Sequence, residues 1–365
     1  MKVAIIAPLV SAIREPQLGG SQAFLSDLAR GLAGRGHDVH LYAASGSQVA
    51  GVEVIDTGVD HEALQATIYR ASGSAAATGS GAAESAFAGV YDAVRREAYD
   101  VVHNHAFDAP AVTLATTAGA PVVHTLHLPP AAAVADALRQ AARRDPPPTV
   151  AAVSAFHASA WRRAVPVDAI LPPHIPTGLI GWSSTVGDGA VFAGRLAPEK
   201  GAAEAIEIAL AAGVRIDVYG DSYDGEYTRE QIDPRRADPG VSVHPGVART
   251  AIWEAMARAA VVLCPARWDE PFGMAAAEAQ ACGTPVVAFR RGALDRIVVD
   301  GVTGLMVAPD DINAAADAVT RATDLSRVEC REHAERHLDL ELSLDAHEQL
   351  YGRVTGAGIG VAIGG

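Results

Sequence analysis

Short apolar runs alternate with helical patterns along nearly the whole chain, and this rhythm constrains the fold more than any other feature. In the first half the runs are Val3–Ala7, Val39–Tyr42, Val101–His103, Pro121–Thr125 and Thr149–Val153, with helical patterns such as Ser21–Arg35 and Ala131–Arg144 between them. In the second half they are Ala190–Ala193, Arg215–Tyr219, Val241–His244, Val261–Cys264, Pro285–Ala288 and Gly304–Val307. The intervening helical patterns there are Pro198–Ala212, Arg249–Ala259, Gly273–Ala281 and Asp310–Thr323. Repeated β-α-β units imply parallel sheets covered by helices on both faces.

The rhythm breaks at Leu171–Gly178, where proline and glycine crowd together, and the following Gly181–Gly189 is small and polar. The expected organisation is therefore two Rossmann-like parallel-sheet domains facing an interdomain cleft, residues 1–172 and 189–340, joined by a linker at 173–188. Ligands of open α/β sheets bind at the carboxyl ends of the strands, which is where functional residues are sought. Ala71–Gly89 reads as a loose loop running into a helix, and 355–365 as a flexible tail. The glycines of that tail imitate a dinucleotide fingerprint, but no strand precedes them.

Composition excludes several classes. The 365 residues carry 43 acidic and 29 basic side chains, a formal charge of −14, which argues against a nucleic-acid-wrapping protein. Only Lys2 and Lys200 are lysines; every other basic residue is an arginine. Cys264, Cys282 and Cys330 cannot all pair and lack metal-ligand spacing, so reduced thiols in a cytoplasmic protein are expected. The N-terminal apolar run is short for a signal peptide, and no run approaches the ~20 residues of a membrane span.

Three segments carry possible chemistry. Val191–Gly201 is a strand ending in Gly194-Arg195, followed by Pro198 at a helix start and by Lys200. Two cations beside free helix N–H groups suit a phosphate or diphosphate, although two ordinary surface charges on a turn would look the same. Arg267–Pro285 places Glu270 in a loop and Glu278 about two turns into the next helix, on the face of Met274. Phe272, Gly273 and Met274 offer backbone N–H groups at that helix start, and the Glu278 carboxylate can accept from two vicinal hydroxyls. Gly19-Gly20 opens the first helix and permits close backbone approach.

His103, His105, His124 and His127 gather at two neighbouring strand ends. No carboxylate or cysteine accompanies them at metal-ligand spacing, so no metal site is expected and structural or substrate-polar roles are favoured. Arg139, Arg143, Arg144, Arg162 and Arg163 with Trp161 form a weak candidate for peripheral membrane contact. Solvated helix ends are favoured, because Ala131–Arg144 shows a poor apolar face.

Taken in order, these stretches resemble the retaining family 4 glycosyltransferases of the GT-B fold, in their compact bacterial branch. The resemblance rests on Gly19-Gly20, Arg35–Val39, Asp100–His105, Val123–His127, Gly194–Gly201, Trp268–Gly273 with Glu278, Ala281–Pro285 and Asp300–Gly304. It implies transfer of a sugar from a nucleotide-diphosphate sugar, a UDP-sugar by preference, to a small-molecule, glycan or natural-product acceptor. It implies no metal or other cofactor.

In that resemblance the N-terminal domain takes the acceptor and the C-terminal domain the donor. Arg195 and Lys200 neutralise the diphosphate, Glu278 takes the ribose, and Glu270 with Phe272, Gly273 and Met274 holds the donor sugar and phosphates. Gly20 approaches the diphosphate from the opposite domain, His127 lies beside the donor sugar, and the base stacks near Val247–Arg249. His127, Arg195, Lys200 and Glu270 are the implied catalytic set. A C-terminal helix, 341–354, crosses back to the N-terminal domain. The chain departs from the family pattern at His174–Gly178 and at Arg296. Two other readings are a different GT-B enzyme, such as a sugar-nucleotide epimerase, and a non-catalytic nucleotide-sugar-binding protein.

Overall fold

The computed structural model describes residues 1–68 and 80–356. Most of the expected 355–365 tail and the first part of Ala71–Gly89 lie outside them; Ser80–Val94 is helical. The chain divides into two units. The first comprises Met1–Arg14, Ser21–Pro172 and the chain from Ser343 on; the second comprises Glu15–Gly20 and Pro173–Leu342.

The first unit is built on seven parallel strands: β1 (Lys2–Ile6), β2 (Asp38–Ala43), β3 (Glu53–Asp56), β4 (Val101–Asn104), β5 (Val122–Leu126), β6 (Thr149–Ala152) and β7 (Ala169–Ile170). Their order is β3-β2-β1-β4-β5-β6-β7. β1 pairs β2 from Lys2↔Asp38 to Ile6↔Tyr42, and pairs β4 from Val3↔Val101 to Ile6↔Asn104. Val3, Ala4, Ile5 and Ile6 are all buried, as a central strand covered on both faces requires. The helix Leu340–Thr355 contributes to this unit from Ser343 on; Leu344 packs where a Cβ on Gly31 would stand, and Arg35 bonds Glu348 at 2.6 Å.

The second unit has six parallel strands: β8 (Ala190–Ala193), β9 (Ile216–Tyr219), β10 (Val241–His244), β11 (Val261–Cys264), β12 (Val286–Phe289) and β13 (Gly304–Val307), in the order β10-β9-β8-β11-β12-β13. Side chains alternate between two cores. Ala190 and Phe192 join Ile206, Ile216 and Val218 on one face; Val191 joins Met256, Ala276 and Cys282 on the other. Both sheets reverse direction beside their first strand, at β1/β4 and at β8/β11, and such switch points are where α/β sheets receive ligands.

Several local expectations change. The pattern Pro198–Ala212 is not one helix: a 3-10 turn, Pro198–Lys200, is followed by an α-helix only from Ala202 to Ala211. Gly201 separates them at φ +78°, and a Cβ there would stand 2.0 Å from the Pro265 carbonyl. The helix within Ala131–Arg144 runs Ala132–Ala141 and has a real apolar face, burying Val134, Ala135, Ala137, Leu138 and Ala141. Trp161, grouped above with the surface arginines, belongs to the same core. Glu278 is one turn into its helix, which begins at Met274. No described helix is long and apolar enough to cross a membrane.

Candidate active-site residues

In the second unit, the segments following β8 and β11 are docked onto each other. Arg267 N–H donates to the Glu199 carbonyl at 2.9 Å, and Gly201 packs on Pro265. This brings Lys200 to Glu270: Nζ donates to Oε2 at 2.9 Å and Oε1 at 3.1 Å. The same ammonium lies 4.8 Å from the centroid of the Trp268 ring, whose Nε1–H donates to Glu270 Oε2 at 2.7 Å. A cation–π contact and a bidentate pair thus fix one lysine, with both charged side chains mostly shielded from solvent. An ammonium has three donors, and two are engaged with Glu270.

Glu270 is itself held by the backbone. Its carbonyl accepts from Ala293 N–H at 2.8 Å. Gly292, at φ +63°, lies so close that a Cβ would stand 2.2 Å from Glu270 N and 2.3 Å from its O. Only glycine fits there. Arg195 leaves β8 beside this cluster, at 4.4 Å over the Tyr223 ring, with Nη2 donating to Glu199 at 3.2 Å. Gly273, in the left-handed region, caps the helix Met274–Ala281, whose first-turn amides have no intrahelical acceptor. Phe272 is buried, its ring 5.8 Å from that of His174.

A second pair stands close by in sequence. Arg249, at the start of the helix Arg249–Arg258, donates from Nε to Glu278 Oε1 at 2.5 Å and stacks 4.9 Å from Trp253. Both members are buried. Glu278 therefore has an internal cationic partner, beyond any role at a helix terminus. Val247 precedes Arg249 in the loop that follows β10, where Gly246 N–H donates to Asp221 at 2.8 Å. Gly20, expected to act from the N-terminal domain, groups with the second unit; a Cβ there would meet Met274 Sδ at 2.9 Å.

His127 belongs to the first unit, half-buried at a cluster of buried imidazoles. His105 Nδ1 and His127 Nε2 are 2.9 Å apart, and the rings of His103 and His105 stand 4.0 Å apart. His103 is bonded to Tyr351 OH and Thr125 Oγ1, each at 2.7 Å. Burial drives the group towards neutrality: His127 is pushed down to about 3 and His124 to about 4, and His103 and His105 fall well below their usual value. Among the described residues His105 Nε2 is buried with no partner, so a proton there would be left unsatisfied. The His105 proton then sits on Nδ1 and is donated to His127 Nε2, which leaves the His127 proton on Nδ1.

Sequence reasoning missed His347 and Tyr351 as members of this cluster, because the helix that carries them is distant in the chain. It also missed the partnership of Trp268 with Lys200. The close approach of Gly292 had no sequence signal beyond an Arg-Gly turn. Among the described residues no group of three or more His, Cys, Asp or Glu is placed to hold a metal ion.

Comparison with known families gives the class. Residues 18–179 match the model of Glycosyltransferase Family 4, and residues 188–337 match that of Glycosyl transferases group 1. The two models lie end to end over most of the chain, and the fold is of the GT-B type, with two parallel-sheet α/β domains. More particularly, a segment similar to Glycosyltransferase Family 4 precedes one similar to Glycosyl transferases group 1.

A D-inositol 3-phosphate glycosyltransferase of Xylanimonas cellulosilytica is 38% identical over 136 residues, 35% of this chain and 32% of that protein. The chain thus matches about a third of that curated relative's length. The fold is similar to that of sucrose-phosphate synthase from Thermosynechococcus elongatus, at TM-score 0.76 and 17% identity over 98% of this chain and 100% of the other. It is also similar to Anabaena HepE in complex with UDP and glucose, at TM-score 0.72 and 20% identity over 96% and 99%.

Proposed function

We propose that the protein transfers a sugar from a nucleotide-diphosphate sugar, UDP-linked by preference, to an acceptor hydroxyl with retention of anomeric configuration and without a metal. The observation that carries this reading is the docking of Lys200, Glu270 and Trp268 at the β8/β11 switch point, with Arg195 alongside. The leaving group gains charge as the bond from the anomeric carbon to the diphosphate oxygen breaks, its electron pair passing to that oxygen. Fixed cations and helix N–H groups stabilise that charge in place of a metal.

The acceptor oxygen then bonds to the anomeric carbon on the same face, and its proton passes to the departing phosphate oxygen. His127, held uncharged by desolvation, donates a hydrogen bond and orients rather than carrying the proton. Glu270, with the backbone at Phe272, Gly273 and Met274, holds the donor sugar and phosphates. Glu278 binds the ribose while anchored by Arg249, the base lies by Val247, and Gly20 offers backbone to the diphosphate. The acceptor is a small molecule, a glycan or a natural product, and the protein works in the cytoplasm.

The test is the double change Arg195→Ala and Lys200→Ala. Release of UDP from UDP-glucose should fall at least ~10³-fold, in line with the loss of two charge-stabilising groups. Turnover that survives the double change would overturn the assignment of the diphosphate site. Activity should also persist in excess chelator; loss that magnesium restores would overturn the metal-free mechanism.

A further inference from the structure

The first unit contains a cavity of about 90 Å³ beside His127. Its walls are chiefly apolar, lined by Phe107, Leu126, Leu128 and Val134 together with Trp161 and His127. None of its lining residues carries a permanent charge. Apart from the His127 Nδ1–H, its polar side chains are engaged within the fold. Trp161 Nε1–H donates to the Leu128 carbonyl at 2.9 Å, and His157 Nε2 meets the same carbonyl at 2.7 Å. Thr125 Oγ1 is bonded to His103, and His127 Nε2 to His105.

An anion placed here would lose its hydration and find no cation in return. A hydrocarbon group would lose nothing. Size narrows the choice: an apolar cavity of about 150 Å³ takes benzene, and a water claims about 30 Å³, so this cavity suits a group smaller than an aromatic ring.

We propose that the cavity receives a small hydrocarbon substituent of the acceptor, a branch of three or four carbons carried near the hydroxyl that is glycosylated. This rests on the reading of His127 as the residue that orients the reacting groups, and on the first unit as the acceptor side. It separates this chain from an enzyme whose acceptor presents a phosphate at this place.

The experiment uses the full chain with labelled leucine and valine methyls, titrated separately with isobutanol and with inorganic phosphate. Isobutanol should shift the methyls of Leu126, Leu128 and Val134 and the Trp161 indole N–H, saturating in the millimolar range, while phosphate leaves them in place. Val134→Phe should abolish the shifts by filling the cavity. Ala131→Leu, at the exposed rim, offers the same block with less risk to folding. The absence of any saturable isobutanol shift in the folded chain, or a saturable phosphate shift, would overturn the proposal. So would displacement of isobutanol by UDP-glucose alone, which would give the cavity to the donor. Neither probe is a nucleotide, so a failure here is distinct from a failure of the diphosphate site, which UDP titration reads.

Discussion

The two units solve the burial of polar side chains in opposite ways. The first removes the charge: His103, His105 and His124 are buried and His127 is half-buried, all driven towards the neutral form and bonded to one another or to hydroxyl and amide groups. The second keeps the charge and pairs it: Lys200 with Glu270, Arg249 with Glu278. Neutral imidazoles suit a site that orients hydroxyl groups. Paired ions suit one that must meet a diphosphate, where compensating charge has to be already in position.

The contrast can be broken most severely in the second unit. Arg249→Ala leaves the Glu278 carboxylate buried without its guanidinium, and should cost roughly 3–5 kcal/mol in urea unfolding. The double change Arg249→Met with Glu278→Leu should recover most of that loss, since an apolar pair of similar volume removes both desolvation costs. A double variant as unstable as the single one would show that packing around Trp253, and not charge pairing, holds this site.

Acid should break the first unit. A buried imidazole held below its usual 6.5 binds its proton more readily in the unfolded chain, so its stability contribution is present at pH 7 and declines as pH falls below 6.5. For His124, pushed to about 4, the full loss is about 3 kcal/mol, reached below pH 4. Asp108 opposes this: burial pushes its carboxyl up to about 6, so it gains stability as pH falls from about 6 towards 3.8. Four imidazoles should outweigh one carboxyl. Fluorescence of Trp161, the only tryptophan of the first unit, should report unfolding between pH 6.5 and 4 before that of the second unit's tryptophans. Coincident acid transitions would erase the contrast.

Smaller changes sharpen it. Tyr351→Phe removes the hydroxyl that engages His103 and should cost roughly 1–2 kcal/mol. Glu278→Gln should weaken UDP binding several-fold through poorer ribose contacts while the fold persists; an unchanged dissociation constant would remove Glu278 from the donor site. The last change, His105→Phe, is read spectroscopically and not by stability. Nitrogen shifts of His127 should move from a single Nδ1–H form to a mixture, because the partner that fixes its proton is gone. Unmoved shifts would mean that His105 does not set the tautomer.

Much of this organisation was legible in the sequence because it depends on period. Strands such as Ala190–Ala193 and Val261–Cys264 are short apolar runs between turn signals, and the structure has them at those bounds. β3 and β7 were not legible: Glu53–Asp56 has charged ends, and Ala169–Ile170 is two residues long at a sheet edge. Lys200 could be singled out from its place after Gly194-Arg195, but its partner lies 70 residues away. The Gly292 contact with Glu270 and the placing of His347 among the histidines depend on how distant segments stack, which no local pattern encodes.

The Lys200 cage has a practical consequence. The chain has two lysines, one at position 2 and bound to Glu97, the other fixed between Glu270 and Trp268. An amine-acylating reagent therefore has one interior address. Trypsin cuts after Arg195 and Arg215, and after Lys200 only while its amine is free, so acylation leaves residues 196–215 as one peptide. The rate at which this peptide becomes labelled measures how tightly the cage holds its ammonium, and protection by an added nucleotide turns the same peptide into a tag-free binding assay.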